Sequence, residues 1–387
     1  VLIATVLFAS ACSDDTPTLA DASNPVLLDA GSQTDSNDAS TTASPDASAA
    51  DAAKPSTMDA SAPAANEAAA PVTNDAAPSA DAGAATSDAS ADAATGAAAN
   101  LPPIATVPIP APVKDDCITD VSAGDHKFTC MGITFLVLVD DKCTKFACGL
   151  IFDIHGATMS GLQMRDNTLL HKLAPPKGYI VVHPSATPDN TGGTWDLTND
   201  PPKVGDFFAR MIKAFHVDPA RIHVTGFSQG GIMTFWFLQN KTADLASAAP
   251  VAGAQPADWF TDAWKPRVPF LVMNGIDDQA STIDKSRALI DSIVKGLGLM
   301  GGMQIDGDGH YSRKRWTGDM GMELEYIEHD YGGQPVLGGH CIPGGIDTPE
   351  SGANNFGLNG TTCTTGMIKL NWGEIVLKWF EDHPKHP

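Results

Sequence analysis

From residue 113 onward, short apolar runs alternate with longer segments in which apolar residues recur every three or four positions. The runs at 126–130 and 133–139 are separated by two residues and predict a hairpin. Further strand-like runs fall at 149–155, 179–183, 221–226, 246–252, 269–274 and 323–329. Between them, helical spacing covers 162–173, 203–215, 231–239, 281–297 and 370–382. Strands that alternate with amphipathic helices predict one α/β domain over 113–387, a mostly parallel sheet with helices on both faces. Ligands of such sheets sit beyond the carboxyl ends of the strands, so the chemistry is sought in the loops that follow these runs.

The first hundred residues have no such pattern. They hold thirteen Asp and Glu67 against Lys54, which accounts for −13 of the net charge of −22, and Phe8 is their one aromatic residue. Loose Asp-Ala-Ser repeats offer too little apolar surface to offset the entropy of ordering, so 13–112 reads as a disordered linker. Residues 1–12 read as the end of a secretory leader: an apolar stretch closes in Ala9-Ser10-Ala11 ahead of Cys12. On that reading Cys12 carries a lipid, and the protein is exported from a bacterium, either free or as a cell-surface lipoprotein. The acidic balance argues against nucleic acid as a partner and against binding to anionic lipid surfaces by charge.

Cysteine usage fits export. Apart from Cys12 the chain holds six cysteines, and an even number predicts three disulfides. Neighbour pairing is expected: Cys117 with Cys130, Cys143 with Cys148, and Cys341 with Cys363. Fifteen pairings are formally open. No cysteine or histidine spacing suits zinc, and neither a metal nor a cofactor is expected. A monomer is expected.

The strand-like run ending at Val224 leads into Thr225-Gly226-Phe227-Ser228-Gln229-Gly230-Gly231, which fits the Gly-x-Ser-x-Gly nucleophile elbow. Serine alone is a poor nucleophile. It needs a histidine base, a carboxylate to orient that base, and N–H donors for the oxyanion. The amide of Gln229 follows the nucleophile and is the first candidate donor. The turn His155-Gly156-Ala157-Thr158 offers the second, Ala157 or alternatively Thr158, with His155 read as a residue that stabilises the turn. The candidate acid follows the 269–274 run in Gly275-Ile276-Asp277-Asp278. Hydrolases with His-Gly-Thr-x-Asp at this point use the third residue after the glycine, which selects Asp278 and leaves Asp277 as the alternative. The candidate base is His340, in the long glycine-rich loop before the final helix. Its rival His310 precedes the last predicted strand. The order Ser228, Asp278, His340 is that of α/β-hydrolases.

These motifs, with the 218–231 stretch, Gly338-Gly339-His340-Cys341-Ile342-Pro343-Gly344-Gly345 and Gly192-Gly193-Thr194-Trp195, resemble the α/β-hydrolase esterase family of extracellular poly(3-hydroxybutyrate) depolymerases and feruloyl esterases over roughly residues 117 to 385. The resemblance implies a serine carboxylic-ester hydrolase that forms an acyl-enzyme. Trp195 and Thr158 would face the substrate. The implied substrate is a polyester or short-chain ester, with a feruloyl or acetylxylan ester as the alternative. A non-catalytic surface-anchored binding protein is the alternative of another class. Two positions depart from the family: Asn274 stands where a histidine is usual, and Gln279-Ala280 where Val-Pro is usual.

Overall fold

The computed structural model describes residues 106–253, 255, 268–333, 336–344, 361–365 and 368–385. The leader-like segment, Cys12 and the acidic stretch up to residue 105 lie outside the described residues. Ahead of the first strand, Ile109 N–H donates to Lys145 O and Ala147 N–H to Val107 O.

Ten strands form one sheet among the described residues. They are β1 (Gly124–Cys130), β2 (Ile133–Val139), β3 (Gly149–Ile154), β4 (Tyr179–Ser185), β5 (Ile222–Phe227), β6 (Ser247–Val251), β7 (Phe270–Gly275), β8 (Met300–Gly307), β9 (Tyr311–Thr317) and β10 (Glu323–His329). Their order across the sheet is β1-β2-β4-β3-β5-β6-β7-β10-β9-β8. The central six, from β4 to β10, run parallel, while β1 and β2 at one edge and β9 and β8 at the other are antiparallel additions. This is the α/β-hydrolase arrangement, and it sends the carboxyl ends of β3, β5, β7 and β10 to one rim.

Two apolar layers flank the sheet. Leu150, Phe152 and Ile154 of β3 enter one core and Ile151 the other, as the period of two requires. The first layer is closed by α3 (Asp200–Ala214) and α5 (Ile283–Leu297). In α3 the stripe Val204, Phe207, Phe208, Met211 faces inward at helical spacing, and prolines occupy the first turn, where the missing N–H costs nothing. The second layer is closed by α6 (Trp372–Asp382) with Trp372, Val376, Trp379 and Phe380, and by α1 (Gly161–Thr168) with Met164. The helix expected over 162–173 is in fact two. A capping box between Ser160 and Gln163 starts α1, and Leu169, at φ 56°, breaks the chain before α2 (Leu170–Leu173).

The antiparallel pair β8–β9 is absent from the sequence reading. In β8 three glycines interrupt the run, seven of its eight residues are exposed, and two register irregularities break the alternation, so no period of two marks it. Between β9 and β10 the fully buried Glu325 accepts from Arg315 at 2.5 and 2.8 Å and is also paired with Arg313, so the buried carboxyl group is fully partnered. All three neighbour disulfides form, with Cα separations of 5.5 Å for Cys117–Cys130, 5.3 Å for Cys143–Cys148 and 5.0 Å for Cys341–Cys363.

Burial also holds several imidazoles uncharged. It pushes His155 and His329 down to about 4, and His223, stacked on Phe380, well below the usual value. The unfolded chain therefore takes up protons below about pH 6.5 that the folded chain does not, so stability falls as pH falls from about 6.5 toward 4. For His155 and His329 the loss at pH 5 is about 2 kcal/mol each. Urea unfolding at pH 7 and pH 5 should show a clearly lower midpoint at pH 5, and equal midpoints would contradict this account.

Candidate active site

Ser228 sits between β5 and α4 (Gln229–Asn240) at φ 55° and ψ −116°, a strained backbone for a residue with a Cβ. Its N–H donates to Val251 O at the end of β6 (2.9 Å), and its own carbonyl accepts from Ile232 N–H in the first turn of α4 (3.0 Å). The turn closes only because Gly230 lacks a side chain: a Cβ there would lie 2.0 Å from Ile154 O. Ser228 is half-buried and its Oγ makes no hydrogen bond among the described residues. The first N–H groups of α4, that of Gln229 among them, have no intrahelical acceptor and lie beside Ser228.

His340 and Asp278 meet at one point. His340 Nδ1–H donates to Asp278 Oδ2 at 2.8 Å, and the Asp278 side chain is fully buried. Asp278 Oδ1 accepts from the N–H groups of Ala280 (2.8 Å) and Ser281 (2.7 Å), which fixes the carboxylate's rotation. With Nδ1 carrying the proton toward Asp278, the opposite ring edge of His340 presents Nε2 as an acceptor. The His340 ring lies 4.8 Å from that of Phe227, the residue just before Ser228. The loops that carry acid and base are laced together: Gly339 N–H donates to Asp277 O (3.1 Å), Gln279 N–H to Leu337 O (3.2 Å), and Asp278 bridges Gly338.

Asp277, the alternative acid, is exposed, and its carbonyl is the part that ties the two loops. His310 pairs with Asp330 at 3.0 Å in the turn between β8 and β9 and makes no bond to Asp278. Asn274, the departure from the family pattern, is buried. It donates through Nδ2 to Ser281 O (2.8 Å) and Gly275 O (3.1 Å), so its amide braces the acid turn across its base.

The turn after β3 adjoins the nucleophile. A Cβ on Gly156 would come within 3.0 Å of Ser228 Cβ, so the backbone at 156–157 lies against the elbow. Ala157 is half-buried there, and Thr158 is exposed at φ 64°. Trp195 is only 3% exposed, and its ring stacks on His155 with centroids 4.6 Å apart. The indole N–H donates to His155 O (2.8 Å), and the Trp195 backbone N–H donates to Gln229 Oε1 (3.0 Å). The indole therefore supports the 155–158 turn from below and offers little open wall. The Gln229 side chain, read from sequence only as the residue whose amide follows the serine, also ties the 192–195 loop to the elbow. Its place beside Ser228 was visible in the sequence, but its reach to a loop thirty-four residues earlier had no local signal.

Among the described residues no group of three or more His, Cys, Asp or Glu could hold a metal ion.

No family model matches the chain. The bifunctional acetylxylan esterase/xylanase XynS20E of Neocallimastix patriciarum is 29% identical over 132 residues, covering 33% of this chain and 19% of that protein, so the chain spans about a fifth of that relative. Among solved structures, an acetyl xylan esterase from Aspergillus awamori aligns with a TM-score of 0.44 at 16% identity, over 53% of this chain and 93% of that one. A thermostable esterase aligns with a TM-score of 0.37 at 16% identity, over 53% of this chain and 54% of that one.

Proposed function

We propose that this chain is a serine carboxylic-ester hydrolase that works through an acyl-enzyme. The observation that carries the reading is the buried Asp278–His340 pair, closed at 2.8 Å beside a serine held in a strained elbow. In this mechanism His340 Nε2 takes the Ser228 proton as Oγ attacks the ester carbonyl, and Asp278 stabilises the imidazolium. The N–H groups of Gln229 and Ala157 hold the oxyanion. The alcohol leaves with the proton from His340, and His340 then activates water to release the acid from Ser228.

Two short-acyl classes are supported by different observations. Acetyl esters of a polysaccharide are supported by the similarity to the bifunctional acetylxylan esterase/xylanase. A hydroxyalkanoate polyester is supported by the motifs shared with the depolymerase family, and by exposed Leu197 and Ile276 on the loops that carry Trp195 and Asp278. Export, with Cys12 as a lipid anchor, belongs to the same proposal and is supported by the three disulfides.

The test is turnover of p-nitrophenyl acetate together with labelling by diethyl p-nitrophenyl phosphate. One phosphoryl group is expected on the peptide containing Ser228, with complete loss of turnover. Neither turnover nor labelling would sink the hydrolase reading in favour of a binding protein. Acetate released from acetylated xylan, compared with 3-hydroxybutyrate released from polymer film, then separates the two acyl classes.

A further inference from the structure

The turn that would supply the second oxyanion donor is held by a histidine that takes no part in the steps above. His155 directly follows β3 and is completely buried. Ala186 N–H donates to its Nε2 at 3.1 Å, and a backbone N–H can only donate. Nε2 is therefore the acceptor nitrogen of the ring, and the proton of the neutral imidazole sits on Nδ1. That atom lies 2.6 Å from the carbonyl oxygen of Gly156. Met159 N–H donates to the same carbonyl at 3.2 Å, and Gly156 N–H meets Met159 Sδ at 3.3 Å. Trp195 holds the preceding carbonyl, that of His155, at 2.8 Å. Burial, which pushes His155 down to about 4, keeps the ring in this neutral form at ordinary pH.

The carbonyl of Gly156 and the N–H of Ala157 belong to one planar trans peptide and point in opposite directions. Fixing the carbonyl on His155 therefore fixes the direction of the N–H. Met159 N–H also holds this carbonyl, at the longer distance of 3.2 Å against 2.6 Å for His155 Nδ1, while the alanine and glycine that flank the bond add no bulky side chain against a flip. A flipped peptide would turn a carbonyl oxygen toward the oxyanion and add repulsion where attraction is needed.

We propose that His155 is a positioning residue whose Nδ1–H sets the Gly156–Ala157 peptide so that the Ala157 N–H faces the oxyanion formed at Ser228. The inference rests on the hydrolase reading above. It assigns His155 a role in kcat beyond stabilising a turn, acting through the peptide and without touching substrate.

Two isosteric replacements separate the two ring nitrogens. His155→Asn places an amide donor where Nδ1 stood and removes the acceptor for Ala186. His155→Gln keeps an acceptor at the Nε2 position and loses the donor to Gly156. With p-nitrophenyl acetate, the Gln variant is expected to lose about 100-fold in kcat with KM within about threefold, the cost of one oxyanion donor. The Asn variant should exceed the Gln variant in kcat by at least about tenfold. Equal kcat for the two variants overturns the proposal. A measurement on the wild type covers the case in which both variants fail to fold: ¹⁵N NMR of the His155 ring at pH 7 should show the proton on Nδ1, and a proton on Nε2 overturns the proposal. Turnover that depends on Ser228 but is unaffected by His155→Gln removes this inference alone, whereas absence of any Ser228-dependent turnover removes the hydrolase reading itself.

Discussion

Ser228→Ala is expected to lower kcat for p-nitrophenyl acetate by about 10⁴-fold to 10⁶-fold, the range seen when a hydrolase loses its nucleophile. What remains would come from oxyanion donors and from binding, both of which survive the change. Stability should barely move. The Ser228 N–H bond to Val251 O and the Ile232 bond to the Ser228 carbonyl are backbone interactions and persist. Ser228 Oγ makes no hydrogen bond that its removal would orphan among the described residues. Alanine also has the same Cβ at the same φ of 55°, so the strain of the elbow is neither added nor relieved. Steady-state kinetics with a urea unfolding curve checks both halves. A variant that keeps more than about a hundredth of the activity would mean that another group attacks the ester.

Asp278→Asn is expected to lower kcat by about 10⁴-fold, while Asp277→Asn stays within about twofold. Asp278 accepts three N–H groups, two from Ala280 and Ser281 on Oδ1 and one from His340 on Oδ2. An asparagine that satisfies the two backbone donors with its oxygen must turn its NH₂ toward His340 Nδ1. The imidazole then has to place its lone pair on Nδ1 and its proton on Nε2, and in that tautomer it cannot take the proton from Ser228. Asp277 contributes a carbonyl, which the substitution preserves, and its side chain is exposed. Reversing the two outcomes would move the acid to Asp277. The comparison is best made at pH 8, where a free histidine is neutral and tautomer, not charge, decides the rate.

Much of this candidate site is legible in the sequence because each candidate catalytic group is tied to a backbone feature with a local signature. The elbow must have small residues on both sides of Ser228, and the glycines at 226, 230 and 231 announce it. The candidate acid follows a strongly apolar strand and the candidate base follows one in which apolar residues alternate with Glu, so the sequence places both loops on the carboxyl rim. The disulfides followed from neighbour pairing alone. The parts that were not legible depend on distant contacts. In the β8–β9 pair, β8 is exposed and broken by glycines and β9 is polar and mostly half-buried; β9 owes its place to pairing with β10 and β8 to pairing with β9, and Leu169 breaks its helix with an ordinary apolar residue. The resemblance has Trp195 facing the substrate, whereas its burial depends on its bond to His155 O and on the tether from Gln229, neither of which has a local signal. His155 illustrates the same limit: its sequence context marks a turn, but the partner of each ring nitrogen lies outside that context or depends on the turn's conformation.

The lacing between the Asp278 and His340 loops bears on how the protein would lose activity under stress. Each loop supplies hydrogen bonds to the other, and Cys341–Cys363 anchors the second loop to the segment ahead of α6. Acid and base therefore open as one cooperative unit and cannot fray separately. A warmed sample would contain molecules with both residues in place and molecules with neither, and few with a half-assembled relay, so partial inactivation would reduce the number of working molecules while each survivor keeps its full turnover rate.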